Sequence, residues 1–406
     1  MKNKIELLAP AGNFEALMAG INAGADAIYL GIGDLNMRAS ATINFQLEDL
    51  KEIAKICHKN KVKVYITLNT VVYDEEIKKI KEILDEIKKQ KIDAIIASDL
   101  AVIKLARERK IEVHISTQMS ISNVETVKFC SQFADRMVLA RELNLEQVAK
   151  IVSEIEKENI YGPKGELVEI EVFAHGAMCV GISGRCQMSL YHYNSSANRG
   201  KCAQMCRRKY RVTDLDSGKE LVLDNNLIMS RSDLCTIGML DQLIKSGVKV
   251  LKIEGRGRGP DYVDKVIRTY RKAIEAVENK NYSQKKIEGW LTDLKTVFNR
   301  GFYSGFYMGR DEKEWAEGEN NLATEKKQLI GQVEHFYPKP RVIELTIKGD
   351  FEVKNGDSFV VTGPKTGIVS GKFEGILFDG NILTFKVNKK VFRNDKVWII
   401  YPKPFC

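Results

Sequence analysis

Four cysteines, Cys179, Cys186, Cys202 and Cys206, fall in one glycine-rich stretch at spacings CX6C, CX15C and CX3C. Gly176, Gly181, Gly184 and Gly200 punctuate that stretch, so its backbone can turn tightly and bring thiols in from several directions. Thiolate sulfur in such number is a ligand set for zinc or for an iron–sulfur cluster. Structural zinc sites usually pair their ligands in close CxxC-like knuckles, a pattern these spacings do not follow. They suit a [4Fe–4S] cluster held by loops, while spacing alone leaves zinc open. Cys235, in the later segment RSDLC, can take the place of one of the four. Cys57 and Cys130 lie in helical patterns and Cys406 is terminal, and all three read as ordinary thiols.

Other catalytic patterns are thin. The sequence has no GxSxG elbow, HExxH pair or Walker loop, so serine hydrolase, zincin and NTPase chemistry have no footing. His175 stands four residues before Cys179, and it either serves substrate or cluster or simply bonds a nearby carbonyl. Glu254 is the other candidate for acid–base work. The run GRGRG at residues 255–259 resembles a phosphate nest, with Arg256 and Arg258 adding charge.

Elements must position these residues. Up to about residue 260 the chain alternates short β-branched apolar runs with amphipathic charged segments. The apolar runs lie at 5–10, 27–31, 62–70, 94–99, 113–118, 137–142, 169–175 and 248–255. Runs apolar on both faces, each followed by a helical pattern, imply a parallel sheet covered by helices. Eight such units favour a closed (β/α)8 barrel of the TIM type over an open doubly wound sheet. Active sites of these barrels sit at the strands' C-terminal ends, here marked by Asn69, Asp99, Gln118, Arg141, Glu142, His175, Glu254 and Arg256. The cysteine stretch belongs to a long insertion after strand seven, about 176–245, on that same face.

The barrel domain is expected to span 1–310, closing with NRGFYSGFYMGR. The interleaved aromatics of that segment can stack nucleobases or pack against the barrel. A polar connector at 311–328 leads to a second domain, 329–406, whose short runs divided by Asn355-Gly356 and Asp379-Gly380 turns predict a small antiparallel β-barrel.

At 406 residues the chain is long enough for more than one core, and 44% hydrophobic with 29% charged residues is a soluble composition. No window approaches the roughly 20 apolar residues of a membrane span, and the N-terminal residues lack a signal-peptide pattern. The expectation is a cytoplasmic protein with no membrane partner, whose clustered cysteines are ligands or catalytic thiols rather than disulfides. A net charge of +9 is compatible with a polyanionic partner such as RNA.

Residues 171–189 fit E-x-F-x-x-G-[SA]-[LIVM]-C-x4-G-x-C-x-[LIVM]-S throughout, through Glu171, Phe173, Gly176, Ala177, Met178, Cys179, Gly184, Cys186, Met188 and Ser189. That is the signature of peptidase family U32. The segments LLAPAGNFEAL, GADAIYLG, NRGKCAQMCRRKY, LKIEGR and NRGFYSGF resemble the same family, so the resemblance extends over the whole first domain. Family members once described as collagenase-like proteases include RNA-modifying enzymes, and this chain looks most like the branch that makes 5-hydroxyuridine at the tRNA wobble position without oxygen. The resemblance implies a [4Fe–4S] cluster on Cys179, Cys186, Cys202 and Cys206, with Cys235 as the alternative fourth ligand, and prephenate as co-substrate. Arg141 or Arg256 would clamp a prephenate carboxylate. A tRNA anticodon loop would be the macromolecular partner, with room for a related partner subunit. A peptidase, and an RNA-binding or assembly protein with a structural cluster, are the alternatives.

Overall fold

The computed structural model describes residues 4–40, 44–221, 229–309, 314–316, 321–349 and 351–403. Eight parallel strands, Glu6–Pro10, Ala27–Gly31, Lys63–Leu68, Ala94–Ala97, Val113–Ile115, Arg136–Val138, Glu169–Ala177 and Val250–Ile253, pair in sequence order. The eighth pairs with both the first and the seventh, closing the ring. The (β/α)8 barrel expected from the alternating pattern is therefore formed.

The helices take shape for local reasons. Ile77–Lys89 sets Ile80, Ile83, Leu84 and Ile87 on one buried stripe against the strands, at three- and four-residue spacing. Asn13, Asp99, Asn123 and Asn144 cap the helices that follow strands one, four, five and six, each side chain accepting a first-turn backbone N–H. The long helix after strand eight, Pro260–Glu278, opens on a proline, where the missing N–H costs nothing.

Two further strands enlarge the sheet beyond the ring. Asp233–Cys235, from the insertion, runs antiparallel to the C-terminal end of strand seven, and Phe302–Tyr303 pairs with it. The aromatic segment around 299–309 thus packs beneath strand seven: Tyr303 and Tyr307 are buried, and the Tyr307 hydroxyl donates to Phe173 O at 2.8 Å. Arg310, the last residue of that segment, lies outside the described residues, as do Cys406 and 222–228 of the insertion.

The C-terminal part is a seven-stranded antiparallel sheet whose edges are Gly367–Lys372 and Leu377–Asp379. Phe359 and Phe385 lie on strands separated by three others, yet their rings stand 4.9 Å apart. The sheet therefore curls over a core that also holds Phe373. Its longest strand, Glu325–Tyr337, begins inside the stretch read as a connector. There the Leu322 and Thr324 N–H groups donate to Asn299 O and Lys295 O, so this stretch is fastened to the barrel rather than free. A second fastening is Gly367, whose positive φ of 69° sets it against Met18 and Ala19 of the first helix. Among the described residues no helix is long and apolar enough to cross a membrane.

Candidate active site at the barrel mouth

The C-terminal ends of the strands surround a cavity. Four cations line it, Arg38, Arg141, Lys252 and Arg256, together with Cys179 and one carboxylate, Glu254. Arg256 is buried and, among the described residues, bonds only neutral oxygens: Thr67 Oγ1 and Asn36 Oδ1 accept from its two terminal nitrogens at 2.8 Å each. Gly31 makes room for it, since a Cβ there would stand 2.3 Å from the Arg256 guanidinium. Burial lowers the Arg256 pKa to about 10, the mark of a cation short of an anionic partner. Arg141 lies 3.6 Å over the Phe173 ring and donates to Ala177 O, and its buried Nε has no hydrogen-bond partner among the described residues.

Glu254 and Lys252 are held differently. Burial would raise the Glu254 carboxyl, but Arg38, bonding its Oε1 at 2.6 Å, outweighs that and holds it at about 2. Lys252 stands between the Tyr29 and Phe173 rings and reaches Glu171 Oε1 at 2.7 Å; burial pushes its ammonium below the ordinary range against the pull of Glu171. The mouth is thus an excess of positive charge in a water-poor setting, built to take an anion.

The cysteine loop forms one wall. Arg207 donates to Met178 O at 2.6 Å and to Ser230 Oγ at 2.9 Å, drawing the Cys206 segment against Cys179. Ser189 Oγ accepts from the Ala203 N–H at 3.0 Å, drawing the Cys202 segment against the helix Met188–Tyr193 that follows Cys186. Gly200 lets the loop approach Asn36, for a Cβ there would meet Asn36 O at 2.1 Å. Cys179 is exposed and Cys186, Cys202 and Cys206 are half-buried, all as free thiols. Burial pushes the Cys206 thiol up, Arg207 opposes, and Cys179, Cys202 and Cys186 all stand near enough to push it further. Among the described residues no three His, Cys, Asp or Glu side chains are drawn to a common point. The four thiols share one loop system, with Arg207 beside them and Arg38 within electrostatic reach of Cys179 to offset thiolate charge. As a donor set they fit a thiolate-held cluster.

The family model for peptidase family U32 matches residues 12–317. The chain belongs to that family. A collagenase of Porphyromonas gingivalis strain W83 is 47% identical over 98% of this chain and 98% of its own length. An uncharacterized protease of Methanocaldococcus jannaschii is 38% identical, with 98% of each covered. The tRNA hydroxylation protein P1 of Bacillus subtilis is 32% identical over 96% of this chain and 93% of its own length.

The U32 signature residues divide sharply in this fold. Glu171 and Phe173 face the barrel interior, and Cys179 reaches the mouth. His175, expected there as an acid–base group, does not line the cavity. Between strands seven and eight the register slips, so that Phe173 pairs with Lys252 but His175 with Ile253. The extra residue turns His175 outward into a cage of Tyr262, Tyr270 and Phe302, where burial lowers its pKa to about 3. Cys235 lies on the same buried side, its Sγ 4.0 Å from the Tyr270 hydroxyl, and burial pushes its thiol up to about 11. The influences on it include no other cysteine. A neutral imidazole and a protonated thiol are the reverse of an activated cysteine–histidine pair.

Glu254, Arg141 and Arg256 line the cavity as strand-end residues should. In the GRGRG run, Arg256 turns into the mouth while Arg258 stacks 3.4 Å over Phe298 outside it. Arg38 and Lys252 line the cavity as well, outside the candidate-site patterns of the sequence. Lys252 had a signal, since a lysine inside an otherwise apolar parallel strand must have a buried partner. Arg38 had none, as it follows strand two by a loop of no recognisable pattern.

Proposed function

We propose that this U32 protein is an RNA hydroxylase that forms 5-hydroxyuridine at the wobble position of tRNA without oxygen, using a [4Fe–4S] cluster and prephenate. The observation that carries this reading is the shared wall. Cys179 stands on one side of a cavity whose other sides present Arg38, Arg141, Lys252 and Arg256. A thiolate-held cluster and a small dicarboxylate would meet there, within reach of an unpaired base entering from solvent. The 32% identity to a tRNA hydroxylation protein over nearly the whole chain supports the substrate class.

The roles of the chain's own residues follow from their surroundings. Cys179, Cys186, Cys202 and Cys206 would hold the cluster, which when bound supplies electron transfer and Lewis acidity. Arg256 and Arg141 bind carboxylate, being guanidiniums that pair with no carboxylate among the described residues. Glu254, ionised and locked to Arg38, orients that guanidinium and keeps the charge of the mouth from rising further. Lys252, in the cavity wall, and Glu171 form a buried pair that fixes the Phe173 face. Arg208 and Lys209, which follow Cys206 and Arg207 in the insertion, supply charge for the RNA backbone.

A peptidase is the second reading, favoured by the collagenase name of the 47% identical relative. Against it stands the buried, unactivated state of His175 and Cys235. Nucleoside mass spectrometry of tRNA from a deletion strain decides between them. Loss of 5-hydroxyuridine and its derivatives, restored by the wild-type gene, is expected; an unchanged profile refutes the hydroxylase.

A further inference from the structure

A second cleft, larger than the mouth at about 780 Å3, opens between the helix Pro260–Glu278 and the curled C-terminal sheet. Seven basic side chains line it against four carboxylates. Asp261 pairs with Lys327 at 2.5 Å and Asp264 with Arg268, which leaves five of the cations against two carboxylates. Lys265, Lys272 and Lys326 line the cleft and form no ion pair among the described residues. Its cations come from both domains rather than converging on one point, which suits a long ligand with repeated charge.

The walls suit a sugar–phosphate chain. Gly257, Gly259, Ser358, Ser370 and Gly371 leave them low, so a backbone can approach closely. One loop contributes to both sites: Glu254 and Arg256 line the mouth, and the next residues, Gly257, Arg258 and Gly259, line the cleft.

We infer that this interdomain cleft binds the RNA phosphodiester backbone next to the nucleotide held in the mouth, which makes the C-terminal sheet one half of the RNA site. The inference rests on the RNA-hydroxylase reading for its ligand class. Binding of this kind is independent of base sequence and weakens with salt, through release of condensed counterions.

The test uses the full-length protein and a fluorescently labelled unmodified tRNA transcript, with anisotropy followed across a salt series. Two variants are compared with wild type, Lys265→Glu/Lys272→Glu/Lys326→Glu and its all-glutamine counterpart, both checked for an unchanged melting temperature. Charge reversal is expected to weaken binding at least about tenfold at low salt, and to reduce the slope of log K against log salt by about 2 to 3, close to 0.9 for each duplex phosphate that is no longer neutralised. The glutamine variant should show a smaller loss in the same direction. Unchanged affinity and slope in both variants overturn the inference. Hydroxylation of the same transcript is scored in parallel, so the two readings fail separately. A wild type that hydroxylates alongside a reversal variant that binds and hydroxylates equally well removes the cleft alone. A wild type that binds through the cleft but never hydroxylates removes the activity alone.

Discussion

His175 makes the fold itself sensitive to acid, by an amount that follows from its burial. Its imidazole ordinarily takes up a proton near 6.5, and in the folded chain only near 3, because burial in the aromatic cage opposes the charge more than Glu254 favours it. Below about 6.5 the unfolded chain binds a proton that the folded chain refuses. The contribution is complete above 6.5 and drains away as the pH falls toward 3. At about pH 5 the unfolded state has gained about 1.5 pH units of protonation at about 1.4 kcal/mol each, so this one residue removes about 2 kcal/mol relative to about pH 8. His114, also buried with its pKa lowered by burial, adds to the wild-type slope, so the comparison must isolate His175. His175→Phe does so, since a phenyl ring suits the same cage and cannot titrate. Urea unfolding of both proteins at the two pH values should show the wild type losing about 2 kcal/mol more than the variant. Equal losses would refute the reasoning and place His175 where solvent protonates it freely.

Two further outcomes are expected. Serine at Cys179, Cys186, Cys202 or Cys206 should lower bound iron and the iron–thiolate absorbance near about 400 nm after anaerobic reconstitution, whereas Cys235→Ser should keep both; a Cys235→Ser protein without iron beside a Cys206→Ser protein that keeps it would reverse the assignment. Lys252→Met should cost about 3–5 kcal/mol in urea unfolding, because it leaves the fully buried Glu171 carboxylate with only Arg136 at 3.9 Å, and Glu171→Gln added to it should recover most of that loss; simple additivity of the two changes would show that the pair is not coupled.

The amino-acid sequence by itself determined the barrel and the neighbourhood of the site. Strands buried on both faces must be apolar throughout, and helices on the outside must carry an apolar stripe, so all eight βα units were written in short-range periodicity. The glycine-spaced cysteines and the strand-end residues Arg141, Glu254 and Arg256 were legible for a similar reason, since loops at one end of a parallel barrel share one face. Tertiary structure alone decided which way the side chains point and what they meet. One extra residue in the pairing of strand seven turned His175 from the mouth into an aromatic cage, and no local pattern encodes a slip that depends on the partner strand. Arg38 reaches Glu254 from 216 residues away, and Arg256 finds the neutral oxygens of Thr67 and Asn36. Cys206 rather than Cys235 lies among the other thiols because Arg207 ties its segment to Met178, while Cys235 pairs into the sheet behind strand seven. These are interactions between distant segments, and their energies depend on a burial that exists only once the ring has closed.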